Sequence, residues 1–300
     1  MKIVIAGSSG FIGRHLTEFL ASRGHEVIRL VRAGSQNPGG TAILWDPQRG
    51  MLEAKALAGA AAVVNLCGEG VASKRWTPER KLVLRESRTR PTALLAQTIA
   101  RMVEPPRAFV SVSAIGIYGL RGDEPVDETG PAGDDFLAEL VVGWEAAAQP
   151  ALAAGVRVVH PRLGSVLDAD DGILARLLPA FRMGAGGRVG AGTQIMSWIA
   201  IDDVLAGLAF LIEHQDLRGP INLVSPGAVS NAEFAKTLAS VVRRPSLLSL
   251  PETAVSLMFG EMGRSLLLGG ARVTPRRLTP AGYTFLYPDL RPALEHLLAG

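Results

Sequence analysis

The sequence predicts an α/β fold: a doubly wound parallel sheet in the first half of the chain, followed by a smaller and more mixed C-terminal region. Two observations support this prediction. In the first half, short apolar runs alternate with stretches whose apolar residues recur at helical spacing, and strands that alternate with helices form parallel βαβ units. In the second half this alternation is lost, and residues 168–196 are rich in glycine and poor in strand-like runs.

The elements are predicted from periodicity and from the residues that end each one. Strands are predicted over residues 3–6, 27–31, 43–45, 61–66, 108–113, 156–159 and 221–224. Helices are predicted from the first glycines to Gly24, over 78–102 and 143–154, within 199–213, and over 231–242, where Ser230 serves as the N-cap. A boundary near residue 165 gives an N-terminal domain over 1–165, to which residues 198–228 return, and a smaller substrate domain over 166–300.

Composition excludes several classes of protein. Apolar residues make up 48% and charged residues 20% of the chain, as in globular rather than disordered proteins. The net charge of +3 gives no strong field over 300 residues, so nucleic acid is not indicated as a partner. Cys67 is the single cysteine, which fits a reducing compartment. No apolar run reaches the roughly 18 residues of a membrane helix, so we expect a soluble cytoplasmic protein with no membrane partner.

A glycine-rich loop follows the first strand and opens the first helix. In such a loop Gly7 permits the tight turn, Gly10 lets the backbone approach a pyrophosphate, and Gly13 allows the helix to pack closely on the strand. The helix N-terminus then offers free N–H groups and partial positive charge to the phosphates. The loop therefore predicts a dinucleotide site formed by Gly7, Ser8, Ser9, Gly10, Phe11, Ile12 and Gly13. The alternative is a purely structural glycine turn.

Arg32 follows the second predicted strand and stands 19 residues after Gly13. Proteins that bind NAD usually place an acidic residue at this point to hold the ribose 2′-hydroxyl. A guanidinium would instead pair with a 2′-phosphate, and Ser35 is a second candidate contact. The sequence therefore favours NADP(H) over NAD(H) as the cofactor, with an ordinary surface arginine as the alternative.

Further motifs occur in a fixed order along the chain: residues 65–68 (Asn-Leu-Cys-Gly), 111–113 (Ser-Val-Ser), 117–119 (Ile-Tyr-Gly), Arg162, 197–203 (Ser-Trp-Ile-Ala-Ile-Asp-Asp) and 221–223 (Ile-Asn-Leu). In this order they resemble the extended short-chain dehydrogenase/reductases. Residues 45–47, 87–88, 144–145 and 268–275 resemble an atypical branch, the epimerase family proteins of the NAD-dependent epimerase/dehydratase superfamily. The resemblance implies a Rossmann-type domain that binds NADP(H), with a short C-terminal extension that forms the smaller substrate region.

The resemblance also implies particular site residues. It places the backbone of Leu66, Cys67 and Gly68 beside the adenine and ribose, directs Arg88 to the cofactor, and makes Ser113 the active-site serine after the fifth strand. For Arg88 the alternative is a solvated helix face that it shares with other basic residues. For Ser113 the alternative is a hydroxyl satisfied by the backbone.

The sequence departs from that superfamily at the proton donor. Its reductases normally use Tyr-x-x-x-Lys, in which the lysine lowers the pKa of the tyrosine. None of the three tyrosines of this chain has a lysine four residues later. Ser113 and Tyr118 remain as the catalytic candidates, with Tyr118 alternatively a wall of the pocket.

Two functions follow from these observations. The first is an NADP(H)-dependent oxidoreductase or epimerase-like protein that acts on a small carbonyl or hydroxyl substrate. The alternative is a non-catalytic NADP(H)-binding protein that reports redox state to a partner.

The remaining polar residues add smaller expectations. The five histidines are scattered without ligand spacing, so we expect no metal site. Asp202 and Asp203 are expected to cap the helix that follows them. The acidic residues of 123–128 are expected to form a solvated loop near the mouth of the cleft. A homodimer is left open as the state of assembly.

Overall fold

The computed structural model describes residues 1–32, 41–246 and 248–299. Its strands are β1 (Lys2–Ala6), β2 (Glu26–Val31), β3 (Thr41–Leu44), β4 (Ala62–Asn65), β5 (Ala108–Ser111), β6 (Ser113–Ala114), β7 (Gly122–Val126), β8 (Arg157–Leu163), β9 (Ser165–Leu167), β10 (Gly187–Val189), β11 (Ile195–Met196), β12 (Trp198–Ala200), β13 (Gly219–Leu223), β14 (Val229–Ser230), β15 (Leu248–Leu250) and β16 (Ala271–Val273). Its α-helices are α1 (Phe11–Ser22), α2 (Pro78–Ala100), α3 (Phe136–Ala146), α4 (Gln149–Ala153), α5 (Gly172–Arg182), α6 (Ile201–Glu213), α7 (Asn231–Val241), α8 (Glu252–Leu266) and α9 (Leu290–Leu297).

The central sheet is parallel and has the strand order β3-β2-β1-β4-β5-β8-β13, with β6 extending the sheet beside β8. The order runs outward in both directions from β1 and β4, which are neighbours in the sheet but not in the chain. In such sheets the crevice at the carboxyl ends of the two strands where the order reverses is the usual ligand site. The predicted doubly wound parallel sheet is confirmed.

Helices cover both faces of this sheet. Ile3 and Ile5 of β1 point to one face and pack with α1 and α6, while Val4 and Ala6 point to the other face and pack with α2 and α4. Successive side chains of a strand point to opposite faces, and a strand buried on both sides therefore carries a continuous apolar run. This is why the N-terminal strands were recognisable as short runs rather than as alternating patterns.

A third apolar cluster lies outside the sheet. It joins α5, α7 and α9 around the buried rings of Trp198 and Phe234. The short strands of the second half pair in twos away from the central sheet: β9 with β12, β10 with β15, β11 with β14, and β7 with β16. Residues 219–223 return to the central sheet as β13, and Ser230 is the N-cap of α7, where its hydroxyl accepts a hydrogen bond from the Glu233 amide.

The expectation that Asp202 and Asp203 cap α6 is wrong. The N-cap is Ala200, and no side chain caps the helix. Asp203 is fully buried, and its carboxylate accepts hydrogen bonds from the Tyr283 hydroxyl at 3.0 Å and from the amides of Leu286 and Tyr287 at 2.8 and 2.9 Å. A buried charge needs such partners, so this carboxylate anchors the C-terminal segment to α6.

The acidic residues of 123–128 also differ from the expected solvated loop. Glu128 is buried, and its Oε1 atom accepts hydrogen bonds from the amides of Asn222 and Arg277 at 3.0 and 3.3 Å. Asp127 forms an ion pair with Arg276 at the surface. Two arginines late in the chain, Arg272 and Arg276, thus pair with Asp123 and Asp127, contacts that their distance in the sequence had concealed.

The helix predicted over 143–154 is two helices, α3 and α4. The break comes at residues 147–148, just before Pro150. Proline has no N–H group to donate to the preceding turn, so a new helix begins here instead of the old one continuing. In the described ranges, none of the helices combines the length and the hydropathy that a membrane span requires.

Candidate functional site

The first cavity lies in the crevice at the carboxyl ends of β1 and β4 and has a volume of about 370 Å³. Seven predicted residues border it: Gly7, Ser9, Gly10, Arg32, Leu66, Cys67 and Gly68. They come from three separate stretches that follow β1, β2 and β4. The parallel sheet brings these stretches together because the carboxyl ends of its strands share one edge.

Two glycines of the loop are required by close backbone contacts. Gly7 has φ of +82°, and a Cβ atom there would lie 2.8 Å from the carbonyl carbon of Leu66. A Cβ atom on Gly13 would lie 2.2 Å from the Gly7 carbonyl oxygen. At Gly10 the same distance is 3.4 Å, so there the protein itself leaves room for a side chain. A glycine at that position fits the predicted approach of a ligand rather than internal packing.

The loop has the features of a phosphate cradle. No side chain caps the N-terminus of α1, and the Ser8 hydroxyl is buried without a hydrogen-bond partner among the described residues. Uncapped N–H groups and an unpartnered hydroxyl are the donors that a pyrophosphate requires. The residues present therefore fit a dinucleotide. The side chains of Phe11 and Ile12 pack against the apolar cluster beneath α1, and their contact with the cofactor stays a prediction.

Arg32 is exposed and borders the first cavity beside Cys67. Burial raises the pKa of the Cys67 thiol to about 12, although the nearby Arg32 charge acts in the opposite direction. The thiol is therefore protonated at neutral pH and serves as a small wall residue rather than a nucleophile. Ser35, the other predicted phosphate contact, lies outside the described residues.

Sequence reasoning gave no role to several residues that border the first cavity: Trp45, Pro47, Gln48, Val83, Glu86, Ser87 and Pro91. They lie just after β3 and along one side of α2. Two signals for them were present, since residues 45–47 and 87–88 are among the stretches that carry the family resemblance. The residue types in these two stretches do not by themselves predict that they border the cavity.

Arg88 lies between the first cavity and a second one. It borders the second, while its neighbour Ser87 borders the first. Its guanidinium donates to the carbonyl oxygens of Glu69 at 2.8 Å and Leu84 at 3.1 Å, and packs against Gly68. Burial, with the charge of Arg80, lowers the pKa of Arg88 to about 10, so it stays charged at neutral pH. The solvated helix face proposed as an alternative for Arg88 is excluded, because the side chain is buried.

The second cavity, also about 370 Å³, lies beyond the carboxyl ends of β6 and β8. Its walls come from α3, α5, β11 and residues 265–271, which precede and open β16. These segments lie far apart in the chain. It lies beside Ala114, Ile115 and Gly164, at the same edge of the sheet as the first cavity.

A buried hydrogen-bond network lies next to this cavity. Ser113 donates to Glu145 Oε1 at 2.6 Å, and Arg162 binds both carboxylate oxygens of Glu145, at 2.8 and 2.9 Å. Arg162 Nη1 also donates to the Tyr118 hydroxyl at 2.9 Å, and that hydroxyl donates to Asn222 Oδ1 at 2.7 Å. The strands β6, β8 and β13 hold these groups in register, since Ser113 pairs with Arg162 and Arg162 with Asn222.

The network fixes the charge of its members. Burial alone would raise the pKa of the Glu145 carboxyl, but the hydrogen bonds and charge of Arg162 lower it below its usual value. Burial acts to lower the pKa of Arg162, and the same partner raises it overall. Burial raises the pKa of Tyr118, partly offset by Arg162. At neutral pH the pair is therefore ionised and the tyrosine is protonated.

The hydroxyl groups of both catalytic candidates already donate hydrogen bonds within this network. Ser113 is 2% and Tyr118 is 1% exposed, and neither is among the described residues that border the second cavity. Their hydroxyl hydrogens point to Glu145 and Asn222. Catalytic roles for Ser113 and Tyr118 therefore stay predictions, and each would require its hydroxyl to turn away from its present acceptor. The part of the chain that the structure describes contains no group of three or more metal-ligating side chains.

Comparison with protein families finds two matches. Residues 3–223 match the model of the NAD dependent epimerase/dehydratase family. Residues 250–297 match a domain of unknown function, DUF1731. The first match contains the whole central sheet, and the second contains α8, β16 and α9, together with the segment that closes the second cavity.

Similar proteins cover nearly the whole chain. An epimerase family protein of Mycobacterium bovis is 42% identical over 98% of this chain and 96% of its own. The crystal structure of human epimerase family protein SDR39U1 with NADPH is 34% identical, with a TM-score of 0.88 over 100% of this chain and 99% of that one. A nucleoside-diphosphate sugar epimerase of Corynebacterium glutamicum is 36% identical, with a TM-score of 0.82 over 99% of this chain and 58% of that one.

Proposed function

Because the chain belongs to the NAD dependent epimerase/dehydratase family, we propose that it is an NADP(H)-dependent oxidoreductase that acts on a small carbonyl or hydroxyl compound. One observation carries this proposal: the two cavities lie on either side of one loop and one helix turn. Gly68 and Ser87 border the first cavity, and Val71 and Arg88 border the second. A cofactor that passes this boundary would reach from one cavity to the other.

The residues of the chain would have the following roles in binding the cofactor and the substrate. Gly7, Ser8, Ser9, Gly10 and Gly13 form the cradle for the pyrophosphate, and Leu66, Cys67 and Gly68 form the wall beside the adenine and ribose. NADP(H), when bound, supplies or accepts the hydride. Arg88 would place a buried positive charge close to the phosphates or to the ribose that follows them. Ser113 would hold the substrate oxygen after release from Glu145.

Arg32 supports the choice of NADP(H) over NAD(H). Its exposed guanidinium stands at the end of β2, where a 2′-phosphate would lie, and among the described residues that border the first cavity it is the only one with a positive charge. Pairing of arginine with phosphate is strong and directional. The human relative whose structure contains NADPH is consistent with this choice.

The test is a titration of the purified protein with NADPH and with NADH. We expect NADPH to bind at least tenfold more tightly, a difference of about 1.4 kcal/mol. Arg32→Ala should remove that preference. Arg107→Ala, which removes an exposed arginine just before β5 at the opposite edge of the sheet, should keep it. If neither nucleotide binds at millimolar concentration, the proposal is wrong.

A second candidate function is NADP(H) binding without turnover, with the bound cofactor reporting redox state to a partner. It is favoured by the commitment of the Ser113 and Tyr118 hydroxyls to the buried network. The two functions differ in one assay. NADPH oxidation with a panel of carbonyl compounds, abolished by Ser113→Ala, supports the oxidoreductase. Tight NADPH binding without oxidation of NADPH by any member of the panel supports the binding protein.

A further inference from the structure

The walls of the second cavity are mainly apolar. Helix α3 contributes one wall, helix α5 a second, and β11 with the closing segment, residues 265–271, a third. The larger side chains on these walls include Leu137, Leu140, Trp144, Ile173, Leu177 and Leu267. A ligand here would gain affinity chiefly by removing apolar surface from water.

The charged groups beside this cavity already form hydrogen bonds within the protein. Among the described residues that border it, Arg88 and Asp135 are the charged ones. Arg88 donates to two backbone carbonyl oxygens and lies 5.1 Å from the Trp144 ring. Asp135 accepts a hydrogen bond from the Ala138 amide as the N-cap of α3, and its second carboxylate oxygen has no partner. A diphosphate needs free cations or free N–H groups, whereas this carboxylate would repel it.

The closing segment makes the cavity small and holds its wall in place. A Cβ atom on Gly269 would lie 2.1 Å from the Leu120 side chain, and one on Gly270 would lie 2.0 Å from the Ile195 carbonyl oxygen. At Gly270 the neighbour is a backbone atom, so only glycine permits this close approach, whereas at Gly269 the Leu120 side chain would have to move. Gln194 Nε2 donates a 2.7 Å hydrogen bond to the Leu267 carbonyl oxygen and thereby holds the segment in place. The resulting volume of about 370 Å³ is near the lower end of the range for ligand pockets, about 300–1,000 Å³.

We propose that the second cavity takes a small, uncharged and mainly apolar carbonyl compound, or the corresponding alcohol, and not a nucleotide-linked sugar. The inference rests on the proposed function, because it assigns the substrate class of that same site. The proposed substrate class differs from the one in the name of the Corynebacterium glutamicum relative, which specifies a nucleoside-diphosphate sugar. The C-terminal region that distinguishes the family branch would then set the substrate class by closing the cavity.

The experiment measures binding directly and needs no turnover. Saturation-transfer NMR and calorimetry on the protein saturated with NADP⁺ would compare 4-phenylbutan-2-one, an uncharged aryl ketone, with UDP-glucose. We expect the ketone to bind at least tenfold more tightly than UDP-glucose. Leu177→Asp, which places a charge on a half-buried wall position, should weaken ketone binding at least tenfold and leave NADPH affinity unchanged.

Two control variants keep the result interpretable. Leu177→Ala keeps the wall apolar and should change ketone affinity less than threefold. Leu257→Asp adds the same charge at an exposed position of α8 outside the cavity, and should change nothing. Tighter binding of UDP-glucose, or no binding of the ketone, overturns the substrate class even if NADPH binds as expected. Equal ketone affinity in Leu177→Asp and wild type overturns the location. Failure of NADPH binding refutes the proposed function instead.

Discussion

The first cavity is bordered by stretches at the carboxyl ends of β1 to β4 and by one side of α2, whereas the second is bordered by segments spread from Val71 to Ala271. In the first, Gly7 and Gly13 fix the shape of the glycine loop by backbone contacts that exclude a Cβ atom. In the second, apolar side chains from α3 and α5 form two of the walls, and residues 265–271 close it. A shared cofactor can be bound by backbone geometry, while a particular substrate has to be selected by side chains.

The largest effect on cofactor binding is expected for Gly13→Val. The Cβ atom would lie 2.2 Å from the Gly7 carbonyl oxygen and 2.7 Å from the Ser8 Cα atom. Both are backbone atoms, so α1 would have to move away from the loop. We expect NADPH affinity to fall at least 100-fold, about 2.7 kcal/mol, together with a lower melting temperature. Titration with NADPH and circular dichroism on heating measure the two effects.

A matched substitution checks that the Gly13 effect is steric. Gly143 lies exposed inside α3, and a Cβ atom there would have no atom within 4 Å. Gly143→Ala should leave NADPH affinity unchanged and stabilise the helix by about 0.5–1 kcal/mol. If Gly13→Val binds NADPH as wild type does, backbone contacts do not fix the first cavity and the contrast between the cavities is lost.

A second prediction concerns the buried network next to the second cavity. Glu145→Gln would leave Arg162 buried, with 7% of its side chain exposed, and without a negative partner. Removing one member of a buried ion pair costs about 3 kcal/mol or more. We expect a loss of this order in the free energy of unfolding at pH 7, measured by urea denaturation.

The same variant has a defined pH dependence. The pKa of Glu145 is lowered in the folded protein, so its stabilising contribution is present above the unfolded value of about 4.3 and is lost as the pH falls through the folded value. The difference between wild type and Glu145→Gln should therefore shrink below about pH 4.3. A difference that stays constant from pH 7 to pH 3 would show that the ionised pair is not its cause.

The smallest effect is expected at the surface of the C-terminal region. Arg276 pairs with Asp127 at 2.6 Å, but 70% of the Arg276 side chain is exposed. Exposed ion pairs contribute little, because solvent and salt screen them. Arg276→Ala should give no resolvable change in melting temperature at physiological salt. A fall of more than about 4 °C would mean that surface pairs, and not buried groups such as Asp203 and Glu128, attach this region to the sheet.

The contrast between the cavities also explains what the sequence could predict. Gly7, Gly10 and Gly13 were recognisable because they lie at a regular spacing between a strand and a helix, and Arg32 because it follows the next strand. In this part of the chain, a residue that directly follows a strand in the sequence also lies at the site in the structure. The α/β class and the parallel sheet followed from the same alternation.

The second cavity has no such local signature. Glu145 and Arg162 each occur in stretches that carry the family resemblance, yet nothing in the sequence pairs them between α3 and β8. One signal was available: an arginine within the apolar run of β8 requires a buried partner, because an isolated buried charge is costly. Sequence alone names neither that partner nor the segments that close the cavity.

The strand order has a consequence for the time at which each cavity can exist during synthesis. The ribosome delivers β1, β2, β3 and β4 within the first 65 residues, and the last residue that borders the first cavity is Pro91 in α2. The second cavity lacks a wall until Ala271 has emerged. All residues that border the cofactor crevice are therefore synthesised well before the last wall of the second cavity.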